Sequence, residues 1–465
     1  MKSKDDIIAQ LIEENRQLRE TVQLLNGKIE KLQEEIAKLK KNSRNSSKPP
    51  SSDLVKPKKA KTPRQSGKPK IGGQKGHPKH ERPPFAPEDV DMTVPCELSA
   101  SESQGLIPLD EWRVLQQIEL VDKPYFVTEY RARKYWDPRT ERVVIAPFPV
   151  EVQVAGLVGP KLSALAAYQK GACHMSYTTI QRFWNDVLGI PISRSHLVNV
   201  VQKASTAFAV PYEELRQALV EEPYLGVDES GHKDNGAKLW TWCFRASDFT
   251  LFHIDPSRGS QVLKEILTKT FGGIIGADYF SAYHKYMADC SVVIQFCWAH
   301  LIRDIRFVAE RTSASLQNWG KKLLGLVKKL FATWHRAETM TEAGFRRSMD
   351  RIRRKFLKLV RRPPQQSEAL TLAARFRGKG AENYFHFLTT AGIEPTNNLT
   401  EQAIRHIVID RHITQGTRGT RGQRWSERVW TMIATCRQQK RDVFDFFCSA
   451  INAHFRQQAA PSLLP

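Results

Sequence analysis

Pro223-Tyr224-Leu225-Gly226-Val227-Asp228-Glu229-Ser230 decides how the rest of the chain is read. It has the form of a short apolar strand that ends in a carboxylate. Fifty residues on, Gly272-Gly273-Ile274-Ile275-Gly276-Ala277-Asp278-Tyr279 repeats the plan. Two such strands predict two carboxylates, Asp228 and Asp278, at one edge of a sheet. Around them the pattern is α/β. Asp234-Asn235-Gly236 is a hairpin signal, strands are expected at 239–244 and 251–254, and Ser257 is a candidate cap for a helix over 261–269. Gly273–Ala277 is apolar without alternation, as a buried strand is. A last strand at 292–296 runs into a helix over about 297–310. A mixed sheet with helices on its faces follows.

The chain has 465 residues, 41% hydrophobic, with 71 Lys+Arg against 49 Asp+Glu and a net charge of +22. That length allows about three domains, and that charge favours a polyanionic partner. Seven scattered cysteines fit a reducing cytoplasm better than a disulfide framework. No apolar run reaches the length of a membrane span.

Upstream, residues 1–41 carry a heptad pattern. Ile8, Asn15, Val22, Ile29 and Ile36 occupy one core position; Leu11, Leu18, Leu25, Leu32 and Leu39 occupy the other. β-branched residues at a with Leu at d favour a parallel two-stranded coil, and Asn15 would set its register. Residues 42–87 read as a basic disordered linker. Fifteen Lys/Arg stand against Asp53 and Glu81 between Lys38 and Arg82, so Lys56, Lys58, Lys59 and Lys61 are candidate phosphate contacts. Residues 88–155 alternate weakly, at 114–121 and 125–133, and suggest a small β-rich module. Residues 156–220 are helical, with Ser176 and Ser193 as N-cap candidates and a helix-turn-helix as one arrangement.

Residues 311–390 interrupt the α/β pattern with helices. Trp319, Leu323, Leu326, Leu330 and Trp334 line one face, and Met349, Ile352, Phe356 and Val360 line another. The opposite faces are basic and include Arg353 and Arg354. Residues 391–457 return to the core, and the tail after Gln457 is expected to fray. There Arg405 and the loop arginines Arg418 and Arg421 are further candidates for DNA contact.

Phosphodiester chemistry needs a nucleophile activated and a leaving oxygen stabilised, which two Mg²⁺ held by a few carboxylates can do. Asp228 and Asp278 could share one ion. Glu401, on a helix with Leu399, Ala403, Ile404 and Ile407 on one face, is the candidate third ligand. Each also has a structural reading: a strand-end Asp is a common turn former, and Glu401 three residues after Asn398 fits a capping box. Glu229 and Asp289 are alternative carboxylates. Cys297-Trp298-Ala299-His300 lacks a second pair for zinc, so Cys297 reads as a small buried residue and His300 as satisfied by a hydrogen bond.

Taken together these motifs resemble a transposase of the insertion-sequence-66 family, bacterial DDE transposases with a ribonuclease-H-like core. The resemblance is carried by Asn45-Ser46-Ser47-Lys48-Pro49-Pro50-Ser51-Ser52-Asp53, Asp228-Glu229-Ser230, Ala277-Asp278-Tyr279 with Ala282-Tyr283, Cys297-Trp298-Ala299-His300, and Asn397-Asn398-Leu399-Thr400-Glu401. It implies Asp228, Asp278 and Glu401 as a catalytic, metal-binding triad. It implies two Mg²⁺, with Mn²⁺ as a substitute, and a helical insertion before the glutamate. The implied partners are element-end and target DNA, small accessory transposition proteins, and a second copy joined through the coil. The implied setting is the bacterial cytoplasm at the nucleoid. Members usually carry a cysteine-paired zinc finger after the linker. Here only Cys96 lies in 88–155 and Trp136-Asp137-Pro138 stands where a second pair belongs, so no zinc is expected there. A nuclease that does not join, or a DNA-binding protein without catalysis (a regulator or decayed transposase), would share much of this pattern.

Overall fold

The computed structural model describes residues 4–39, 83–102, 104–107, 109–110 and 112–464. Residues 42–82 of the basic linker, with Lys56, Lys58, Lys59 and Lys61, lie outside them. The heptad stretch forms one helix, α1 (Lys4–Leu39). Its seam residues Leu18, Val22, Leu25, Ile29 and Leu32 are each about half exposed or more. Among the described residues no helix is long and apolar enough to cross a membrane.

Among the described residues of 88–155, where a small β-rich module is expected, strand is confined to 134–145. The alternating runs at 114–121 and 125–133 carry no strand, and Val114, Leu115, Phe126 and Val127 are all more than 70% exposed. Alternation specifies a strand only when one face is buried, and here neither is. Just downstream a hairpin does form, β1 (Lys134–Asp137) against β2 (Arg142–Ile145). Asp137 shapes its turn by accepting from Arg139 N at 2.9 Å and Thr140 Oγ1 at 2.8 Å. Thus the Trp136-Asp137-Pro138 stretch forms a strand end and turn.

A helical layer follows: α2 (Val150–Ala155), α3 (Pro160–Gly171), α4 (Tyr177–Asp186), α5 (Arg194–Ala207) and α6 (Ala209–Ala218). Two of the three serine cap expectations hold. Ser176 accepts from Thr179 N at 3.0 Å and Ser193 from His196 N at 3.1 Å, each satisfying one amide a helix start leaves unpaired.

The main sheet has five strands in the order β5-β4-β3-β6-β7. They are β3 (Tyr224–Asp234), β4 (Ala237–Arg245), β5 (Thr250–Asp255), β6 (Ile274–Ala277) and β7 (Val293–Phe296). β3 to β5 are antiparallel, whereas β6 pairs parallel with β3 and β7 with β6. This mixed sheet flanked by helices is compatible with a ribonuclease-H-like core. One expectation is corrected. β3 does not end at Asp228 but continues to Asp234, because β4 pairs with it along its length and closes through Asn235 (φ 48°) and Gly236 (φ 85°).

α7 (Ser260–Ile266) and α8 (Ser281–Cys290) flank β6 in the chain. Ser257 does not cap α7; its hydroxyl accepts from Gly259 N at 2.9 Å and Gly259 is the cap residue. After α9 (Trp298–Ala309) comes the insertion, α10 (Ala314–Trp334), α11 (Glu342–Val360) and α12 (Ser367–Ala374), with the expected apolar faces turned inward. The chain returns through α13 (Asn398–Thr414), α14 (Thr420–Gln438) and α15 (Val443–Phe455). The tail is docked rather than frayed: Leu463 is fully buried and its carbonyl accepts from Gln439 Nε2 at 2.7 Å.

β5 is a sheet edge, and α14 satisfies it. Glu427, Thr431 and Thr435 accept from the backbone amides of Ile254 (2.7 Å), Phe252 (3.0 Å) and Thr250 (3.2 Å). Four helical residues rise about 6 Å and two strand residues about 6.7 Å, so the two repeats keep step over three contacts. An edge that would otherwise invite another strand is thereby closed.

Candidate active site

Asp228 lies within β3 and Asp278 directly follows β6, the parallel strand beside it. The pairing of β3 with β6 ends at Gly226 opposite Gly276, and each aspartate lies two residues further on. Neighbouring strands run about 4.8 Å apart, and the two carboxyls are close enough for the charge of Asp278 to raise the Asp228 pKa. Asp228 Oδ1 accepts from Glu229 N at 2.9 Å, and Asp278 Oδ1 from Phe280 N at 3.0 Å.

The third carboxylate arrives on α13, held to β3 at two points. Asn397 Nδ2 donates to the Val227 carbonyl at 2.8 Å, and Arg411 Nη1 to Ser230 Oγ at 2.9 Å. Gly226 permits the approach. A methyl group there would collide with Thr400 Oγ1 and press on Asn397 Oδ1. Glu401 is not a capping-box residue: the helix starts one residue earlier than that motif needs, with Asn397 at the N-cap and no side-chain cap bond. Its Oε1 is buried without a hydrogen-bond partner. The nearest basic side chains are loosely placed, His300 Nδ1 at 3.8 Å and Arg303 Nη2 at 3.9 Å.

The electrostatics mark a site short of positive charge. Burial, then the charges of Glu229, Asp278 and Glu401, push the Asp228 carboxyl well above the usual aspartate range. Burial, then Glu229, push Asp278 up to about 7, with Arg258 opposing. Crowded, poorly hydrated carboxylates relieve their repulsion by taking up protons or a cation. The donors are carboxylate oxygens, the kind a hard divalent ion takes, and Glu401 Oε1 is without a partner; among the described residues, however, the set whose ligand atoms all lie within 4.8 Å of one another is Cys297, His300 and Glu401.

The alternative carboxylates are engaged elsewhere. Glu229 is buried, receiving Arg258 at 2.7 Å and the Tyr283 hydroxyl at 2.7 Å. The Arg258 guanidinium lies 3.9 Å over the Phe280 ring. Asp289 is paired with Lys264 at 2.6 Å on the surface. The expectation that a hydrogen bond satisfies His300 is corrected, since its Nδ1 is buried without one. Burial, then Arg303 and Arg375, push that imidazole down to about 4, so it is neutral at pH 7. Cys297 is buried as expected, and its Sγ accepts from Asn397 N at 3.2 Å.

Of the other candidate contacts, Arg354, Arg405, Arg418 and Arg421 are exposed. Arg353 is half-buried, 5.2 Å over the Phe385 ring. The Gly/Arg loop is fixed to the far end of the β3–β4 hairpin. Asp234 Oδ1 accepts from Thr417 Oγ1 and Gly419 N, both at 2.7 Å, and Gly416 reaches φ 90° beside the Lys233 carbonyl. Sequence reading missed Asn397 and Arg258 as positioning groups. In the sequence Asn397 stands out only as part of the motif at 397–401, and nothing there shows that its amide meets a carbonyl 170 residues away.

Comparison with known proteins agrees with this architecture. The profile of the transposase IS66 family matches residues 155–424. A family of unknown function, DUF6444, matches residues 3–83. The uncharacterized protein y4qI of Sinorhizobium fredii is 25% identical, over 78% of this chain and 71% of its own.

Proposed function

The chain belongs to the transposase IS66 family, a DNA-binding and DNA-transposing group, and we propose that it cuts element ends and joins their 3′-hydroxyls to target DNA at Asp228, Asp278 and Glu401. The observation that carries this reading is the matched register of Asp228 and Asp278, with α13 pinned so that Glu401 joins the same electrostatic cluster. Two Mg²⁺, or Mn²⁺ in their place, bound by these carboxylates would activate the attacking water or 3′-hydroxyl and stabilise the leaving oxygen. Asp228 acts from β3, Asp278 from the end of β6, and Glu401 closes the site from the helix. Arg405, Arg418 and Arg421 bind backbone phosphates, joined by Lys56, Lys58, Lys59, Lys61, Arg353 and Arg354. The α1 seam pairs two copies, so that two element ends meet in one complex; small accessory proteins complete the assembly at the nucleoid.

The test supplies pre-cut element ends and a target duplex with Mg²⁺. Joined product supports the transposase. Cleavage of uncut ends without joining would support a nuclease, and binding without either, accessory proteins present, a regulator.

A further inference from the structure

Cys297, His300 and Glu401 converge on one point. Cys297 Sγ, a His300 ring nitrogen and a Glu401 carboxylate oxygen all lie within 4.8 Å of one another. His300 Nδ1 and Glu401 Oε1 are 3.8 Å apart, and each is buried without a hydrogen-bond partner. Two neighbouring orphaned polar atoms beside a thiol are costly to bury unless something joins them. Backbone bonds fix the frame. Trp298 N donates to the Pro395 carbonyl at 2.9 Å and Asn397 N to Cys297 Sγ at 3.2 Å, locking the start of α9 against the start of α13. The i and i+3 placement of Cys297 and His300 sets both on one face of the first turn of α9.

We propose that Cys297, His300 and Glu401 form a second metal site, which takes a thiophilic divalent ion of the Zn²⁺ or Co²⁺ kind. Thiolate, imidazole and carboxylate together select such ions over Mg²⁺, and three protein ligands with an open fourth position make a common zinc arrangement. The Cys297 thiol proton leaves to solvent as the metal–sulfur bond forms. Glu401 belongs to both sets, so a soft ion held here withdraws it from Asp228 and Asp278. Binding stands without the proposed catalysis; only this inhibitory consequence rests on it.

Titrating the metal-free full-length protein with Co²⁺ tests the site through the sulfur-to-cobalt charge-transfer absorption. One equivalent per chain is expected, displaced by stoichiometric Zn²⁺ and not by excess Mg²⁺. Cys297→Ser should abolish the band, and His300→Ala should weaken Co²⁺ affinity at least about tenfold; thermal melts of both variants establish that they fold. If Cys297→Ser does not fold, His300→Ala and Glu401→Gln decide alone, and unchanged affinity in both overturns the proposal. So does absence of the band in the wild-type chain, or a band that survives Cys297→Ser and disappears in Cys96→Ser or Cys173→Ser. A Co²⁺ site in a protein whose Asp228→Asn variant still transposes would sink the proposed catalysis and leave this site standing.

Discussion

Asn397 donates its side-chain amide to the carbonyl of Val227, at 2.8 Å, where β3 has run past its last pairing with β6. That bond ties the helix carrying Glu401 to the peptide directly before Asp228. Asn397→Ala should leave the carbonyl unpaired and cost about 1–3 kcal/mol of stability, with a loss of DNA cleavage beyond what the lost stability explains. Chemical denaturation and a cleavage assay on folded protein measure the two.

Gly226→Ala keeps every carboxylate but sets a methyl group against Thr400 and Asn397. Overpacking of this kind costs about 1–3 kcal/mol, and it moves α13 away from the sheet. Cleavage should fall sharply while DNA binding, by fluorescence anisotropy, stays within a few-fold of wild type.

The raised carboxyl pKa values make stability depend on pH. Asp278 titrates near 7 in the folded chain and near 3.9 unfolded, so the folded state holds more protons between these values. Stability of the metal-free protein should therefore fall as pH rises from about 4 through 7. Asp278→Asn should flatten that decline, and Mg²⁺ should raise the melting temperature more at pH 8 than at pH 6. Thermal melts in EDTA and in Mg²⁺ across this range provide the check.

The exposed seam of α1 predicts association. Replacing Leu18 and Leu25 by Glu should convert a dimer to a monomer in sedimentation equilibrium, with little change in the melting of the remainder. A variant that stays dimeric would place the self-association elsewhere.

Arg418 and Arg421 lie on a loop fixed by Asp234. Phosphate contacts act independently of sequence, so the Arg418→Ala, Arg421→Ala double variant should weaken binding to all duplexes alike. It should also reduce the slope of log affinity against log salt by roughly two.

The core strands were legible because apolar runs and a strong Asn-Gly turn are local signals. The caps at Ser176 and Ser193 were legible for the same reason, whereas Ser257 turns its hydroxyl to Gly259 N instead. The full length of β3 was not, because its outer half is held by β4 and by the Thr417 loop rather than by its own apolar pattern. The alternating runs at 114–121 and 125–133 had strand composition but found no partner. The capping reading of Glu401 failed by one residue of helix start. The orphaned pair His300 and Glu401 depends on two helices meeting a hundred residues apart.

The most direct measurement is the rate of element-end cleavage by Asp228→Asn in Mg²⁺, at DNA concentrations where binding is saturated. Loss of a charge-stabilising catalytic group costs on the order of 10²–10³ in rate. A loss of at least this size, with DNA affinity unchanged and matching losses in Asp278→Asn and Glu401→Gln, is the expected result. Cleavage at the wild-type rate by any of the three folded variants would contradict a three-carboxylate site.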